Sequence, residues 1–383
     1  MNNNGIGDFN IKTPYWLLEE KLLENNLKLL ANIKEQTGIK ILLALKGYAL
    51  WQSFPLVAKY LDGCCASGLH EAKLSDEKFQ RETHTYSPAF KEEEIREIAT
   101  ISNHLVFNSP SQVKRFAPLA KSYNPQLSIG LRVNPEYSES PVELYNPCGL
   151  YSRLGTTINN LLESEALAPK LDGLHFHALC EQNSSALEKV LEKFEQNFGK
   201  YLKELKWVNF GGGHHITKKG YNTKKLIDIL NNFKQRYPHL QIYLELGEAV
   251  GWETGTLVTS VLDIVHNGID IAILDTSAEA HMPDTIIMPY RAEVRGADEV
   301  GKRAYSYRLA GNTCLAGDIM GDYSFDNPLQ IGDKIIFEDQ IHYTMVKTTT
   351  FNGISLPSIA IKRVDGRVEV VREFGYEEFR DRL

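Results

Sequence analysis

The sequence predicts a two-domain α/β protein, with a (β/α)8 TIM-like barrel followed by a C-terminal antiparallel β domain. Three observations predict it. Short apolar runs of strand length alternate with segments of helical spacing over residues 41–246. After residue 254 the chain changes to strand-like runs separated by turn signals. The length, 383 residues, also exceeds one ordinary domain, since domains average roughly 150 residues.

Eight apolar runs account for the predicted barrel. Helix-like stretches such as 92–102 and 185–205 separate them. Eight strands alternating with helices are typical of a closed barrel, although a doubly wound sheet would show the same alternation. The predicted strands are ILLAL (41–45), GCCA (63–66), HTYS (84–87), LVFN (105–108), SIGLRV (128–133), GLHFH (173–177), WVNF (207–210) and IYLEL (242–246).

A β domain is predicted over residues 255–383, where GD, NG and DG dipeptides separate strand-like runs. An N-terminal strand at 8–17 is expected to join it. The barrel then occupies 18–254, and no Gly- or Pro-rich linker marks its end, so close packing of the domains is expected. The strand-like runs are VTSVLDIV, IDIAILD, DKIIFED, YTMVKTTTF, IAIKRV and RVEVVREF.

Composition excludes several classes of function. The formal net charge of −7 argues against a nucleic-acid or anionic-membrane partner. No apolar run is long enough to span a bilayer, and no secretory signal is visible. The five cysteines include the adjacent Cys64 and Cys65 and form no Cys-x-x-Cys motif. A reduced, cytoplasmic protein is therefore expected.

Residues capable of chemistry follow several of the eight runs. Because the loops at the carboxyl ends of barrel strands form the active site, these residues are expected to share one pocket. Polar residues that merely face solvent would instead be scattered over helices and turns. The strand-end residues are Lys46, Ser67, Asn134, His177, Gly211, Gly212, Gly213 and Glu245.

Each strand-end residue also has a plain structural interpretation. Lys46 is either a solvated strand end or, if desolvated in the barrel mouth, a Schiff-base nucleophile. The three glycines form either a flexible turn or a phosphate cradle after strand seven. Glu245 is a general base, a metal ligand, the partner of a cofactor ring nitrogen, or half of an ion pair. His-x-His at 175–177 allows a metal pair, but no complete ligand set accompanies it.

The order of motifs resembles that of the alanine-racemase-fold (type III) pyridoxal-phosphate decarboxylases, the family that includes ornithine and diaminopimelate decarboxylases. The resemblance spans nearly the whole chain and implies pyridoxal 5′-phosphate as cofactor and a homodimer with shared active sites. The segments ELYNPCG, HALCE, GGGHHITKKGY and AHMPDTIIMPY resemble a branch of this family that acts on carboxylated polyamines. The matching motifs are LALKG, CCASG, SRLG, GLHFHALCE, NFGGG, ELGE, GNTC and YTMVKTTTFNG.

The resemblance also implies residue roles. Lys46 would carry the cofactor as a Schiff base, and His177 would stack on its ring. Glu245 would hold the ring nitrogen protonated, so that the ring accepts the electrons released with carbon dioxide. Ser67 would belong to the cofactor site, and Cys314, from the other subunit, would help to reprotonate the product. The residues implied for the phosphate are Gly211, Gly212, Gly213 and Tyr343.

Two departures from the ornithine and diaminopimelate pattern indicate the substrate. Glu248 stands where those relatives have an arginine, and Leu315 stands where they have an acid after the cysteine. An anion at the rim of the site favours a small polycationic substrate over one with a distal carboxylate. The predicted amine-binding residues are Glu248 and Asp284, followed by Asp318 and His281; no metal ligand is predicted.

Three alternatives stay open from the sequence. Another basic amino-acid decarboxylase of this fold would use the same cofactor residues but would accommodate Glu248 less readily. A metal-dependent barrel hydrolase would use the histidines. A non-enzymatic pyridoxal-phosphate carrier would share Lys46 and the barrel, but it would lack residues 255–383 and Cys314.

Overall fold

The computed structural model describes residues 9–163 and 171–383. They divide into two compact units, Glu24–Val250 and a second unit that combines the chain up to Leu23 with Gly251–Leu383. The predicted barrel, 18–254, therefore extends a few residues beyond the first unit at each end. The reason is that residues near both ends pair in the sheet of the second unit.

Strand β1 (Tyr15–Glu19) precedes the barrel and belongs to the second unit. The next eight strands are parallel and close into a barrel, in which β9 pairs with β2. This confirms the predicted TIM-like barrel and excludes the doubly wound sheet. The barrel strands are β2 (Lys40–Ala44), β3 (Gly63–Ala66), β4 (Glu82–Tyr86), β5 (His104–Phe107), β6 (Ser128–Arg132), β7 (Gly173–His175), β8 (Trp207–Asn209) and β9 (Gln241–Leu246).

The helices of the barrel have amphipathic faces and local caps. In Glu92–Ile101, Ile95, Ile98 and Ala99 recur at helical spacing and are buried. The helix Pro110–Tyr123 begins with proline, and the Ser109 side chain accepts from the Gln112 N–H. The helical segments are Glu20–Thr37, Trp51–Ser53, Phe54–Val57, Leu69–Leu74, Ser75–Phe79, Glu92–Ile101, Pro110–Tyr123, Glu143–Tyr145, Ile158–Glu163, Ser184–Phe198, Gly199–Glu204, Thr223–Arg236 and Glu248–Gly251.

Large side chains fill the barrel interior toward its amino end. Leu42, Val106, Trp207 and Tyr243 form one buried cluster contributed by four strands. A Cβ on Gly130 would lie 2.4 Å from the Trp207 ring, so a glycine is needed there. This packing closes the amino end and leaves the carboxyl end for polar side chains.

The second unit is a mostly antiparallel sheet, as predicted. Its β1 pairs antiparallel with β10 and parallel with β15. The strands after the barrel are β10 (Gly255–Asn267), β11 (Ile269–Leu274), β12 (Tyr305–Ala310), β13 (Ile319–Phe325), β14 (Lys334–Phe337), β15 (Ser358–Lys362) and β16 (Val368–Arg372). The helical segments are Ala278–His281, Asp284–Ile287, Tyr343–Val346, Phe351–Gly353 and Tyr376–Arg380.

Three details of the second unit differ from the predictions. The N-terminal strand predicted at 8–17 begins at Tyr15, directly after Pro14, which has no N–H to donate to a ladder; residue 8 lies outside the described residues. YTMVKTTTF contains a helical turn rather than a strand, because the Lys347 N–H donates to the Tyr343 carbonyl. Strands β12 and β13 were not predicted.

No helix in the described part of the chain is long and apolar enough to cross a membrane.

Candidate active site

Lys46 follows β2 at the carboxyl end of the barrel. The Lys46 side chain is reachable from the barrel mouth. Protein atoms nevertheless surround its ammonium group, and this desolvation lowers the pKa of that group. The Arg132 guanidinium lowers the pKa further, whereas the Glu245 carboxylate opposes the shift. The amine is thereby shifted toward its neutral, nucleophilic form.

The Glu245 carboxylate is fixed by side chains from β7 and β8. Its Oε1 accepts from Asn209 Nδ2 at 2.8 Å and lies 3.5 Å from His175 Nε2. Burial alone would raise its pKa, but His175, Lys46 and Asn209 outweigh burial and bring the pKa to about 2. Burial lowers the pKa of His175, so the negative charge of this pair lies on Glu245 and the imidazole is neutral.

The three glycines after β8 are required by backbone packing. A Cβ on Gly212 would lie 2.3 Å from the Glu245 carbonyl oxygen, and one on Gly213 would lie 2.0 Å from that of Leu179. Gly213 also has a φ of 83°, in the left-handed region that favours glycine. The loop thus passes tightly against the chain that follows β7 and against β9.

Two of the three glycine amides hold side chains of the site. The Gly211 N–H donates to Asn209 Oδ1 at 2.8 Å, and the Gly212 N–H donates to His177 Nδ1 at 2.9 Å. Burial, followed by Lys46, lowers the pKa of His177 well below its usual value. A neutral His177 therefore accepts from Gly212, which fixes the orientation of its ring.

Arg132 and Tyr86 also belong to this end of the barrel, and sequence reasoning missed both. Arg132 is the last residue of β6 and is 5% exposed. Its Cζ lies 4.7 Å from the Tyr86 ring centroid, and its Nη2 donates to the His177 carbonyl at 3.4 Å. Arg132 could have been found from the sequence, because it is a charged residue in the otherwise apolar run 128–133. Only the residue that follows this run, Asn134, was selected.

Ser67 follows β3 on an exposed turn. Its N–H donates to Glu71 Oε2 at 2.6 Å. Burial raises the pKa of Glu71, while the hydrogen bond from Ser67 opposes that shift. Glu71, which sequence reasoning did not select, therefore holds the turn that carries Ser67.

A separate group of polar side chains, two carboxylates and an imidazole, lies in the loops that follow β7, β8 and β9. Ligand atoms of Glu181, His215 and Glu248 all lie within 4.8 Å of one another, and His215 Nε2 is 3.0 Å from Glu248 Oε2. Backbone hydrogen bonds from Gln182 to Gly213 and from His215 to Gln182 join the first two loops. Glu181 was not predicted, and the three side chains together suit a cation, either an ammonium group or a metal ion.

In the second unit, Asp318 is 3% exposed and braces the loop that carries Cys314. Its Oδ1 accepts from Ser277 Oγ at 3.0 Å and from the Ala278 N–H at 2.6 Å. Its Oδ2 accepts from the Thr313 N–H at 3.1 Å and from Thr313 Oγ1 at 2.6 Å. Cys314, the next residue, is exposed.

The other selected residues of the second unit have partners within it. Both oxygens of Asp284 accept from Lys347 Nζ, at 2.7 and 2.8 Å. The same ammonium lies 5.4 Å from the Tyr343 ring centroid. His281 is buried with its Nδ1 2.8 Å from Thr276 Oγ1, and burial lowers its pKa to about 4.

Comparison with known proteins gives concordant results. Residues 39–340 match the family model described as "Pyridoxal-dependent decarboxylase, C-terminal sheet domain". The carboxynorspermidine/carboxyspermidine decarboxylase of Campylobacter jejuni is 53% identical over 96% of this chain and 98% of its own. The carboxyaminopropylagmatine decarboxylase of Synechocystis is 44% identical over 97% of this chain and 96% of its own.

Solved structures agree with the sequence comparison. The crystal structure of carboxynorspermidine decarboxylase from C. jejuni, complexed with norspermidine, has a TM-score of 0.91 and 51% identity. It covers 97% of this chain and 100% of its own. The closed parallel barrel, the mostly antiparallel sheet and the family match together confirm the predicted alanine-racemase-like fold. The chain therefore belongs to the pyridoxal-dependent decarboxylases.

Proposed function

We propose that this enzyme decarboxylates carboxynorspermidine, carboxyspermidine or both, and so forms norspermidine or spermidine in polyamine biosynthesis. The observation that carries this proposal is Glu248, an anion beside the reaction centre, in a chain 53% identical to an enzyme named for these substrates. A substrate with several ammonium groups complements this anion, whereas a distal carboxylate would be repelled.

The barrel residues fit pyridoxal 5′-phosphate. Lys46 provides an amine that burial shifts toward its neutral form for reaction with the aldehyde, and the ionised Glu245 provides an acceptor for a protonated ring nitrogen. When bound, the cofactor supplies an electron sink for the electrons that remain after carbon dioxide leaves. Glu245 would favour that sink by holding the ring nitrogen protonated, and His177, oriented by Gly212, would lie against the ring face.

The phosphate role is proposed for the end of the glycine loop. The amides of Gly211 and Gly212 already donate within the protein. Among the three glycines, Gly213 is therefore the amide that we assign to the phosphate, together with Ser67 and Tyr343 as predicted from the resemblance. Backbone amides in such a loop bind phosphate oxygens without a requirement for a positive side chain.

The amine end of the substrate is proposed to lie against Glu181, His215 and Glu248. A primary ammonium has three N–H donors, and the carboxylates of Glu181 and Glu248 offer it acceptor oxygens in this group. Asp284, Asp318 and His281 remain proposed contributors from the second unit. Asp284 would exchange its contact with Lys347 for one with a substrate amine.

Turnover of matched substrates tests this proposal. We expect kcat/KM to be highest for carboxynorspermidine or carboxyspermidine and far lower for ornithine and diaminopimelate. Because losing one charged partner costs about 1.5–3 kcal/mol, Glu248→Gln should lower kcat/KM for the polyamine substrate by about tenfold or more. Clear preference for either amino acid would contradict the proposal, and Lys46→Ala should abolish turnover.

Glu188→Gln is the matched control for Glu248→Gln. Glu188 is paired with Lys225 on the outer helices, outside the site, so the same loss of a carboxylate should leave kcat/KM unchanged. Carboxyaminopropylagmatine belongs in the same comparison, since the relative at 44% identity is named for it.

Cys314 is proposed to act in the active site of a second subunit of a cytoplasmic homodimer. Its exposure on the braced loop supports this role. Mixing inactive Lys46→Ala and Cys314→Ala subunits should restore about a quarter of the wild-type activity, because half of the random dimers are hybrids with one intact site. A single-chain site would give no restoration, and a monomer in sedimentation experiments would exclude sharing.

A further inference from the structure

Arg132 is a buried cation at the catalytic end of the barrel. It ends β6 and is 5% exposed. Gly130, two residues earlier on the same side of the strand, faces Trp207 in the barrel interior. Arg132 therefore points inward, beneath the mouth in which Lys46 lies.

The guanidinium has few partners in the protein. Among the described residues, its Nε is buried without a hydrogen-bond partner, and Nη2 reaches the His177 carbonyl only at 3.4 Å. Tyr86 supplies the other contacts, because its ring lies against the guanidinium and its hydroxyl is a hydrogen-bond partner of Arg132. Within residues 9–163 and 171–383, no Asp or Glu forms an ion pair with Arg132; the Glu245 carboxylate is instead held by Asn209 and His175.

A buried arginine stays charged, because its guanidinium cannot be deprotonated in proteins. A buried charge without a counter-ion is unfavourable, and such groups are normally paired with an anion. The ammonium groups of a polyamine would be repelled by Arg132, just as the charged form of Lys46 is disfavoured by it. The complementary ligand is therefore an anionic oxygen close to Lys46.

We propose that Arg132 is an anion-binding residue of the reaction centre, which takes an anionic oxygen of either the cofactor ring or the substrate carboxylate. This inference rests on the proposed function for the identity of the substrate but not for the site itself. Arg132 and the group of Glu181, His215 and Glu248 then give the site two poles. If Arg132 takes the substrate carboxylate, the substrate binds with that carboxylate toward Arg132 and its amine tail toward the acidic side chains, which orients it before reaction.

The first arm of the test uses holoenzyme without substrate. If Arg132 binds the cofactor oxygen, Arg132→Met should weaken cofactor binding about tenfold or more and move the pH transition of the cofactor absorption band upward by about one unit. Loss of the cation disfavours the anionic form of the oxygen, which explains the upward direction. Arg132→Lys, which keeps the charge, should recover most of that shift.

The second arm compares the preferred substrate of the enzyme with its decarboxylated product. The two differ only by the carboxylate, so their affinity ratio isolates its contacts. If Arg132 binds the substrate carboxylate, Arg132→Met should lower the relative affinity for substrate by about tenfold or more while product affinity is retained. For carboxynorspermidine, the matched product is norspermidine.

Arg115→Met is the control, because Arg115 is 65% exposed and pairs with Glu92 on an outer helix. It should change neither the absorption titration nor the affinity ratio. The proposal would be overturned if Arg132→Met kept all three wild-type properties. These are the pH titration of the cofactor absorption band, the affinity for cofactor, and the ratio of substrate affinity to product affinity. Preference for another amino-acid substrate would refute the proposed function alone, because both arms can still be measured with that substrate and its product.

Discussion

Asp318 is a carboxylate that the sequence predicts to bind ligand, but its oxygens accept hydrogen bonds from neighbouring residues of the protein. Sequence reasoning selected it as an amine-binding acid because it follows Cys314 closely. Both of its oxygens accept hydrogen bonds from Ser277, Ala278 and Thr313, and its backbone N–H donates to the Leu315 carbonyl. Its role as a brace for the Cys314 loop is visible from these contacts, whereas direct contact with substrate stays a prediction.

Removing Asp318 should destabilise the protein strongly. Asp318→Ala leaves several buried donors without an acceptor, and we expect a loss of about 3 kcal/mol or more in the free energy of unfolding. Asp318→Asn keeps the shape and part of the acceptor capacity, so its loss should be smaller. Urea unfolding measures both variants.

Asp365→Ala serves as the control for Asp318, since Asp365 is 53% exposed and pairs with the exposed Arg367. Its replacement should leave the midpoint of urea unfolding close to that of the wild type, because an exposed ion pair contributes little. Equal midpoints for Asp318→Ala and the wild type would show that the hydrogen bonds accepted by the Asp318 carboxylate do not stabilise the loop.

At the level of elements, strand ends were the informative part of the sequence. Lys46, His177 and Glu245 could be selected because a polar residue follows or ends an apolar run, and a parallel barrel brings such ends together. Glu181 could not, because it lies in an irregular loop whose path depends on pairing with the loop after β8. Asn209 was missed because it looked like a strand residue.

The wrong strand prediction at YTMVKTTTF has a physical cause. Its β-branched and aromatic residues favour a strand intrinsically, but such preferences amount to only about 1 kcal/mol. The helical turn is stabilised instead by tertiary contacts, among them the ion pair of Lys347 with Asp284 and the hydrogen bond from the Thr349 N–H to Ala280. A single sequence does not show those partners.

Alanine substitutions at two glycines can separate the cost of a left-handed backbone conformation from the cost of a steric clash of the added Cβ. Gly213 and Gly220 have nearly the same φ, 83° and 87°, but a Cβ on Gly213 would lie 2.0 Å from the Leu179 carbonyl oxygen, whereas a Cβ on Gly220 would have no neighbour within 4 Å among the described residues. Gly220→Ala should cost only the left-handed backbone penalty, about 1 kcal/mol. Gly213→Ala should cost at least about 3 kcal/mol in unfolding and also weaken cofactor binding. Equal costs in urea unfolding would show that the close approach to Leu179 is not a constraint.

At the scale of the whole molecule, buried neutral histidines link stability to pH. In the folded protein burial lowers their pKa, whereas an unfolded histidine binds a proton below about pH 6.5. The unfolded state therefore binds more protons as the pH falls, and each such histidine reduces stability by up to about 1.4 kcal/mol per pH unit. The histidines concerned are His84, His104, His175, His177, His214 and His281.

Buried carboxylates act in a lower pH range. Glu82 and Glu245 have folded-state pKa values of about 2, because their partners outweigh burial, so they stabilise the protein above the pKa of an unfolded glutamate. That contribution is lost only below about pH 4.3. Between pH 6.5 and 5 the histidines therefore dominate, and stability should fall steadily as the pH is lowered through this range.

His104→Gln should make this pH dependence shallower. The His104 ring stacks on His84 with centroids 3.8 Å apart, and Trp207, Tyr243 and Lys40 also surround it, so a proton on His104 is disfavoured by burial and by two neighbouring basic groups. Replacing His104 removes one group that takes up a proton when the protein unfolds. The slope of the unfolding free energy against pH, between pH 6 and 5, should therefore decrease by about 1.4 kcal/mol per pH unit. Urea unfolding of holoenzyme at several pH values measures the slope. His266→Gln, at a side chain 70% exposed, is the matched control for replacing a histidine outside the buried cluster. Parallel pH profiles for His104→Gln and the wild type would mean that His104 is protonated to the same extent in the folded and unfolded states.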